Sequence, residues 1–386
     1  MKKKLITILK RNKLVYKVYN FIMSIFWKFI GIFCPIDEKL ILFNSFGGKK
    51  YDDNTRATYE YMISSGKYND YKMIWALDNI KLGEKYNLNV VKNNSFKFFI
   101  TALKAKYWIS NSSMERGLKF KKNKTIYILM MHGTPMKKMG FDAIQNDFAF
   151  KTSEANIIYA QSKFEADTFI RAFKKSPESY KIVGYPRNDY LCNYNEKDID
   201  TIKRKLNIQT DKKVILYAPT FRDFNYDANG CFIAPPIDLD KWKKELGEEY
   251  LILFRAHYEV NKVLNIQDNE FIKNVTNYEK LDELMIISDI LISDYSSIIF
   301  DYSILERPIY SFAYDFEEYS EKRGLYEQVV KDLPNGVQKS EDELINKIKN
   351  CEFGIQKEIT KKFRNKYVEV YGNASKYIDS IVLNDK

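Results

Sequence analysis

Thr125-Ile126-Tyr127-Ile128-Leu129-Met130-Met131-His132-Gly133-Thr134-Pro135 sets an apolar, β-prone run against an abrupt break. The run reads as a buried strand, and Gly-Thr-Pro ends it at once, so His132 is predicted to ride the carboxyl end of that strand. That end is where an open α/β sheet keeps its chemistry. The chain has only two histidines. The second, His257 in Arg255-Ala256-His257, follows Tyr250-Leu251-Ile252-Leu253-Phe254 in the same way. Two histidines past two strands point to one cleft.

Working outward, further short apolar runs alternate with helical patterns: Leu40 to Phe43, Met73 to Ala76, Tyr107 to Ser110, Ile157 to Ala160 and Ile182 to Gly184. Such alternation predicts a parallel sheet covered by helices. One covering helix is predicted over Ser162 to Phe173, with Phe164, Phe169, Ile170 and Phe173 on a common face. The chain turns polar around Asn193 to Thr210, and the pattern then resumes with Val214 to Tyr217, Leu251 to Phe254, Ile290 to Ile292 and Ile309 to Phe312. The fold class is therefore α/β, with two Rossmann-like domains, 37–200 and 201–386, facing each other across a crevice. No repeat of solenoid length is present.

A length of 386 residues is enough for two domains, and 45% apolar residues with 15% aromatics describe a folding chain. The formal charge of +11 is concentrated in the first 36 residues, where seven lysines and Arg11 meet no acid. A nucleic-acid binder would carry its excess on the folded body, so this asymmetry favours an anionic surface met by the amino end. Residues 1–36 alternate lysines with apolar residues and end in Phe21-Ile22-Met23-Ser24-Ile25-Phe26-Trp27-Lys28-Phe29-Ile30-Gly31-Ile32-Phe33. The apolar run is shorter than the roughly 20 residues a spanning helix needs. An amphipathic interfacial segment is expected, with Trp27 and the phenylalanines dipping into the head-group boundary of anionic lipid; packing on the protein's own body is the other reading. Cys34-Pro35-Ile36-Asp37 offers no signal-peptide cleavage site. Cys34, Cys192, Cys231 and Cys351 lie far apart without metal or disulfide spacing, as suits a reducing cytosol.

Ser293-Asp294-Tyr295-Ser296-Ser297 follows one of these strands and opens an apolar helical pattern. Paired serines in a first helical turn offer hydroxyls, free N–H groups and a positive dipole end, which is a phosphate site; ordinary capping explains only one of them. Asp301 lies one turn on and can accept from ribose hydroxyls, although spacing alone equally allows a solvated helix acid. Arg255 brings a guanidinium suited to phosphate, and Arg187 in Gly184-Tyr185-Pro186-Arg187-Asn188-Asp189 is a weaker case of the same kind. A neutral histidine can take a proton from an attacking hydroxyl, and a protonated one can hold a phosphate. Gly47-Gly48 permits close backbone approach but lacks a full dinucleotide fingerprint. With no DxD, acid cluster or Walker sequence, no metal and no cofactor are expected, and a helix terminus, arginine and histidine would balance the diphosphate.

Several of these stretches together are similar to the CDP-glycerol glycerophosphotransferases of teichoic acid synthesis. They are His132-Gly133-Thr134-Pro135-Met136-Lys137-Lys138-Met139-Gly140, Gly184 to Asp189, Ala218-Pro219-Thr220-Phe221-Arg222, Arg255-Ala256-His257, Ser293 to Tyr302, and Tyr314-Asp315-Phe316-Glu317-Glu318-Tyr319 with Arg323-Gly324 after it. The resemblance runs in order from about residue 40 to residue 330. It implies a GT-B fold at the cytoplasmic membrane face. His132 would be the general base that deprotonates an acceptor hydroxyl on a lipid-linked glycan or growing polymer. That oxygen would attack the phosphorus bearing glycerol in CDP-glycerol, and CMP would leave. His257 would steady the diphosphate with Arg255, Ser296 and Ser297; Gly133, Thr134 and Arg187 would line the substrate; and Asp301, seven residues before Pro308, would bind ribose. Many relatives have proline after the second histidine, whereas here Tyr258 follows. The chain has the size of the shorter members, primases and short polymerases, without the additional amino-terminal domain of the long ones. CDP-ribitol as donor, or a nucleotide sugar in the same crevice, are the alternatives.

Overall fold

The computed structural model describes residues 13–143, 154–209, 211–220, 222, 235–256, 264 and 266–384. His257 and Tyr258 fall outside the described residues, as does Cys231. Thirteen strands are described, β1 (Asp37–Asn44), β2 (Lys72–Leu77), β3 (Val90–Lys92), β4 (Ala105–Ser110), β5 (Ile126–Leu129), β6 (Ile157–Ala160), β7 (Tyr180–Ile182), β8 (Lys213–Tyr217), β9 (Tyr250–Phe254), β10 (Ile272–Asn274), β11 (Ile290–Ser293), β12 (Ile309–Phe312) and β13 (Val337–Gln338). They form two parallel sheets, ordered β3-β2-β1-β4-β5-β6-β7 and β10-β9-β8-β11-β12-β13. In each sheet the order reverses beside the first strand, between β1 and β4 and between β8 and β11, and that is where a crevice opens at the carboxyl ends.

Burial on both faces explains why the strands read as unbroken apolar runs. Ile41, Leu42 and Phe43 are fully buried in β1, as are Ile252, Leu253 and Phe254 in β9. The edge strands β3, β10 and β13 have two or three residues each and escape a reading based on such runs. Strand β7 lies two residues earlier than expected. Val183 and Gly184 both turn their N–H groups onto the Ala160 carbonyl, at 2.9 and 3.0 Å, which ends the ladder. Gly184 has φ 83° and packs against the backbone of Val370.

The Lys163–Phe173 helix is capped by Ser162, whose side chain accepts from the Glu165 N–H. Its Phe169, Ile170 and Phe173 pack into the first domain's core while Phe164 packs into the second's, so one apolar face serves both. The sequence division at residue 200 places the carboxyl end in the second domain, and the structure departs from this. After the Phe353–Tyr367 helix the chain returns to the first sheet, where Ile378, Ile381 and Val382 join the first core. Asp379 there accepts from Tyr68 (2.6 Å), Tyr61 (2.8 Å) and Lys67 (2.5 Å). A cluster of tyrosines thus holds a helix more than 300 positions away in sequence.

The amino-terminal segment forms a helix over Lys13–Ile32. Among the described residues no helix is long and apolar enough to cross a membrane. Trp27, set against lipid by the sequence reading, is instead buried within the protein and stacks on Phe99 at 4.2 Å and 14°. Leu14, Val18, Phe21, Ile22, Ile25, Phe29 and Ile32 remain exposed. One stripe of this helix docks on the first domain, and a wide apolar stripe does not.

Candidate active site between the two sheets

Strand β5 ends at Leu129, two residues before the end of its apolar run, because Met131 takes a left-handed φ of 53°. Asn54, buried in the Asp53–Ser64 helix, fixes that turn by donating to the carbonyls of Met130 (3.2 Å) and Met131 (3.1 Å). His132 emerges exposed, with Nδ1 3.0 Å from the backbone oxygen of Asn111, past the end of β4. A carbonyl only accepts, so Nδ1 carries the proton, and Nε2 is left with its lone pair. The edge of the ring meets Phe46 at 5.8 Å, which limits its rotation. A tautomer and an orientation suited to taking a proton are thereby set by one carbonyl and one aromatic neighbour.

Beyond His132 the loop crosses into the second domain. Met136 packs in the second core. Lys137 pairs with Leu325 as an antiparallel bridge, Lys138 N donates to Gly324 O (3.0 Å), and Tyr326 N donates to Met136 O (3.0 Å). Gly133, at φ 147°, lies against Ser297: a Cβ there would sit 2.6 Å from the Ser297 Cβ. The loops that follow β5 and β11 meet across the crevice at Gly133 and Ser297.

The β11 loop is held from behind by a buried cation. Arg222, 2% exposed, makes a bidentate pair with Asp315 (2.9 and 2.9 Å) and an ion pair with Asp294 (2.5 Å). Burial works against its charge, but the two carboxylates outweigh it and raise its pKa above the ordinary arginine value. Asp294 also accepts from Thr220 N (2.9 Å), and Tyr295 donates to Asp315 (3.0 Å) while stacking on Tyr319 at 3.7 Å. Three separate motifs, at 218–222, 293–297 and 314–319, converge on one guanidinium. Ser296 and Ser297 are left half-buried at the start of the Ile298–Ser303 helix, and the Ser297 side chain makes no cap bond. That helix has only six residues, so the loop's hydroxyls and N–H groups contribute more to an anion site than a long dipole does.

Four expected ligand residues have partners inside the protein. Arg187 donates to Asp301 (2.7 and 3.2 Å) and to Asp53 (2.7 Å), tying the second domain to the first. Asp301 is 3% exposed, and its other oxygen accepts from Asn188 at 2.8 Å. Burial raises its pKa, opposed by Arg187 and Asn188. In this structure the two groups read for phosphate and ribose meet each other as an interdomain ion pair. Arg255, past β9, turns one nitrogen onto the carbonyls of Val275 (3.2 Å) and Tyr278, and burial holds its pKa below the ordinary value. Thr134, also expected at the substrate, is buried and accepts from Gln161 (2.7 Å). Next to it lies Glu165, fully buried, accepting from Gln161 N (2.6 Å) and Tyr185 OH (2.5 Å), its pKa pushed up to about 7 by burial.

The supporting residues Asn54, Asn111, Gln161, Asn188 and Arg222 escaped the sequence reading as site residues. Asn111 and Gln161 share one visible signal: each is a polar residue directly after a buried parallel strand, β4 and β6.

The family model described as CDP-Glycerol:Poly(glycerophosphate) glycerophosphotransferase matches residues 27–384. The chain belongs to this family. A teichoic acid poly(glycerol phosphate) polymerase of Bacillus spizizenii is 32% identical over 402 residues, covering 99% of this chain and 100% of that protein. Its counterpart in Staphylococcus epidermidis is 36% identical over 372 residues, covering 91% of this chain but 51% of its own. The chain thus spans about half the length of some of the family's curated relatives. The solved structure of the wall teichoic acid polymerase TagF superposes with a TM-score of 0.81 at 32% identity, over 97% of both chains. Family membership agrees with the motifs from His132 to Arg323, and the TagF likeness with two facing α/β domains.

Proposed function

We propose that this chain transfers glycerol phosphate from CDP-glycerol to a hydroxyl of a lipid-linked glycan or growing teichoic acid polymer, releasing CMP. The observation that carries the reading is the histidine: the Asn111 carbonyl holds Nδ1–H and leaves Nε2 as a base beside the Ser297 loop of the other domain. His132 Nε2 takes the proton of the acceptor hydroxyl. The freed oxygen forms a bond to the phosphorus bearing glycerol, the bond from that phosphorus to the bridging oxygen breaks, and CMP leaves with the electron pair. Ser296 and Ser297, with N–H groups of their turn, stabilise the charge on the donor phosphates, and His257 and Arg255 complete that side. Arg187, Asp301 and Thr134 position the two loops instead of touching the donor.

The exposed stripe of the Lys13–Ile32 helix supports a peripheral seat on the cytoplasmic face of the membrane, where a lipid-linked acceptor is presented. The same helix buries Trp27 against the body, so the seat would be rigidly attached to the first domain.

The test is CMP release from CDP-glycerol with membranes as acceptor, run beside CDP-ribitol and UDP-sugars and with His132→Gln as control. Acceptor-dependent release from CDP-glycerol is expected, falling by about 10²-fold or more in the variant. Release from CDP-ribitol alone would change the donor, and turnover of a UDP-sugar alone would overturn the reaction.

A further inference from the structure

At the opposite end of the first sheet from His132 lies a broadly open cavity of about 550 Å³, bordered by the carboxyl end of the Lys13–Ile32 helix, the Cys34–Ile36 link and the segment before β5. It opens where β1, β4 and β5 begin. β5 runs from Ile126 to Leu129, roughly 10 Å at about 3.3 Å per residue, and His132 lies three residues past its far end. The cavity therefore belongs to neither the donor crevice nor the proton-transfer site.

Its lining is strongly basic. Lys28, Lys121, Lys122 and Lys124 face it, while its one acid, Glu38, is engaged by Lys106 at 3.1 Å. None of those four lysines forms an ion pair among the described residues. Lys121 spends its ammonium on the carbonyls of Lys122 (3.2 Å) and Thr125 (2.9 Å), and Lys122 donates to the carbonyl of Cys34. Burial lowers the pKa of both. Gly31 leaves room for this: a Cβ there would meet Leu103 at 3.1 Å and the Lys122 stem at 3.4 Å. Lys122, partly desolvated, has only a carbonyl to hold its charge, whereas Lys121 also feels Glu154 and Glu115, so the Lys122 side of the lining is the least compensated and gains most from an arriving anion. Ile32, which lines the cavity, is 75% exposed, and Phe29, one helical turn before it and 57% exposed, joins it to the apolar stripe.

We propose that this cavity is a headgroup site, taking the phosphate of an anionic phospholipid whose acyl chains lie along the exposed stripe. The inference rests on the membrane seat proposed above and adds to it a defined, saturable site. Continuity of apolar rim and basic interior selects a lipid over a free anion, since a free anion has no use for the rim.

The experiment uses the full chain and dihexanoyl-phosphatidylglycerol below its micellar concentration, titrated by calorimetry, with vesicle sedimentation in parallel. Two charge-matched variants are compared, Lys28→Gln/Lys124→Gln at the cavity and Lys197→Gln/Lys244→Gln on exposed surface of the second domain. Saturable binding by the wild type is expected, weakened at least tenfold by the first pair and no more than twofold by the second. Dihexanoyl-phosphatidylcholine should bind at least tenfold more weakly. Equal losses in both pairs would mean a diffuse basic surface, for which each lysine contributes about fivefold, and would overturn the site. Equally effective competition by inorganic phosphate would make it a small-anion site and would also overturn the proposal. Vesicle binding without saturable short-chain binding keeps the membrane seat and removes the headgroup site; the converse keeps the site and removes the seat.

Discussion

Replacing Arg187 by glutamine leaves two carboxylates, Asp53 and Asp301, facing each other in the seam between the domains. Arg187 gives them three charge-assisted contacts, two of 2.7 Å and one of 3.2 Å. Counting only the two short ones at about 1.5–2.5 kcal/mol each gives about 3–5 kcal/mol, which agrees with the usual cost of removing one partner from a buried pair. For a cooperative unit of one domain's size, a loss of that order lowers the melting temperature by about 10 °C. Asp301 supplies a second signature. Its folded pKa is already raised by burial, with Arg187 opposing the rise. Without the arginine it rises further above the unfolded value near 3.9. A carboxyl raised on folding stabilises below its unfolded pKa, and that contribution is lost as pH climbs through the folded pKa. The deficit of Arg187→Gln should therefore grow from pH 4.5 to pH 8. Urea unfolding followed by tryptophan fluorescence measures it in both halves, since Trp27, Trp75 and Trp108 belong to the first core and Trp242 to the second domain. A deficit under about 1 kcal/mol, or one equal at pH 5 and pH 8, would refute the reasoning.

Three further outcomes are expected. Gly133→Ala places a methyl against Ser297 at a φ that L-residues avoid, a strain of about 1–3 kcal/mol; CMP release should fall at least tenfold while the circular dichroism spectrum is unchanged. Glu165, with its pKa near 7 in the folded chain, stabilises fully below about pH 4.5 and loses that contribution as pH rises through 7. Glu165→Gln should flatten the stability profile across that window, and an unaltered slope in thermal melts would count against the assignment. Trp27→Ala removes the stacked contact with Phe99 and, at about 3–5 kcal/mol for a buried tryptophan, should undock the Lys13–Ile32 helix; limited proteolysis should then cut near Cys34 to Ile36 with the rest of the fold intact.

Much of the architecture was legible because parallel strands buried on both faces leave continuous apolar runs; nine of these, from Leu40 to Phe312, fall on observed strands, and a tenth, at Ile182, overlaps its strand by one residue. The edge strands were not, since two or three residues such as Val337 and Gln338 carry no period. His132 and Ser297 could be placed together because each follows such a run. The pairing of Arg187 with Asp301 could not, for a guanidinium and a carboxylate 114 positions apart look like two ligand groups until the fold brings them within bonding distance. Trp27 was misplaced for a related reason: periodicity identifies an apolar helix, yet which stripe meets protein depends on Phe96 and Phe99, found in another helix.

Both described ends of the chain rest on the first domain, and besides the Met136–Lys138 loop that reaches the second core, the described chain passes between domains near Asn188 and near Glu369. The passages are laced together: Asp189 accepts from Ala374 N and Ser375 N at 2.8 Å each, and the Gln161 carbonyl from Glu369 N and Val370 N. The second domain is in effect an insert on a double-stranded strap. A chimera that exchanges the donor half with a relative must accordingly be spliced at both passages; a single junction near residue 200 would carry the Tyr377–Val382 helix away from the tyrosines that hold it.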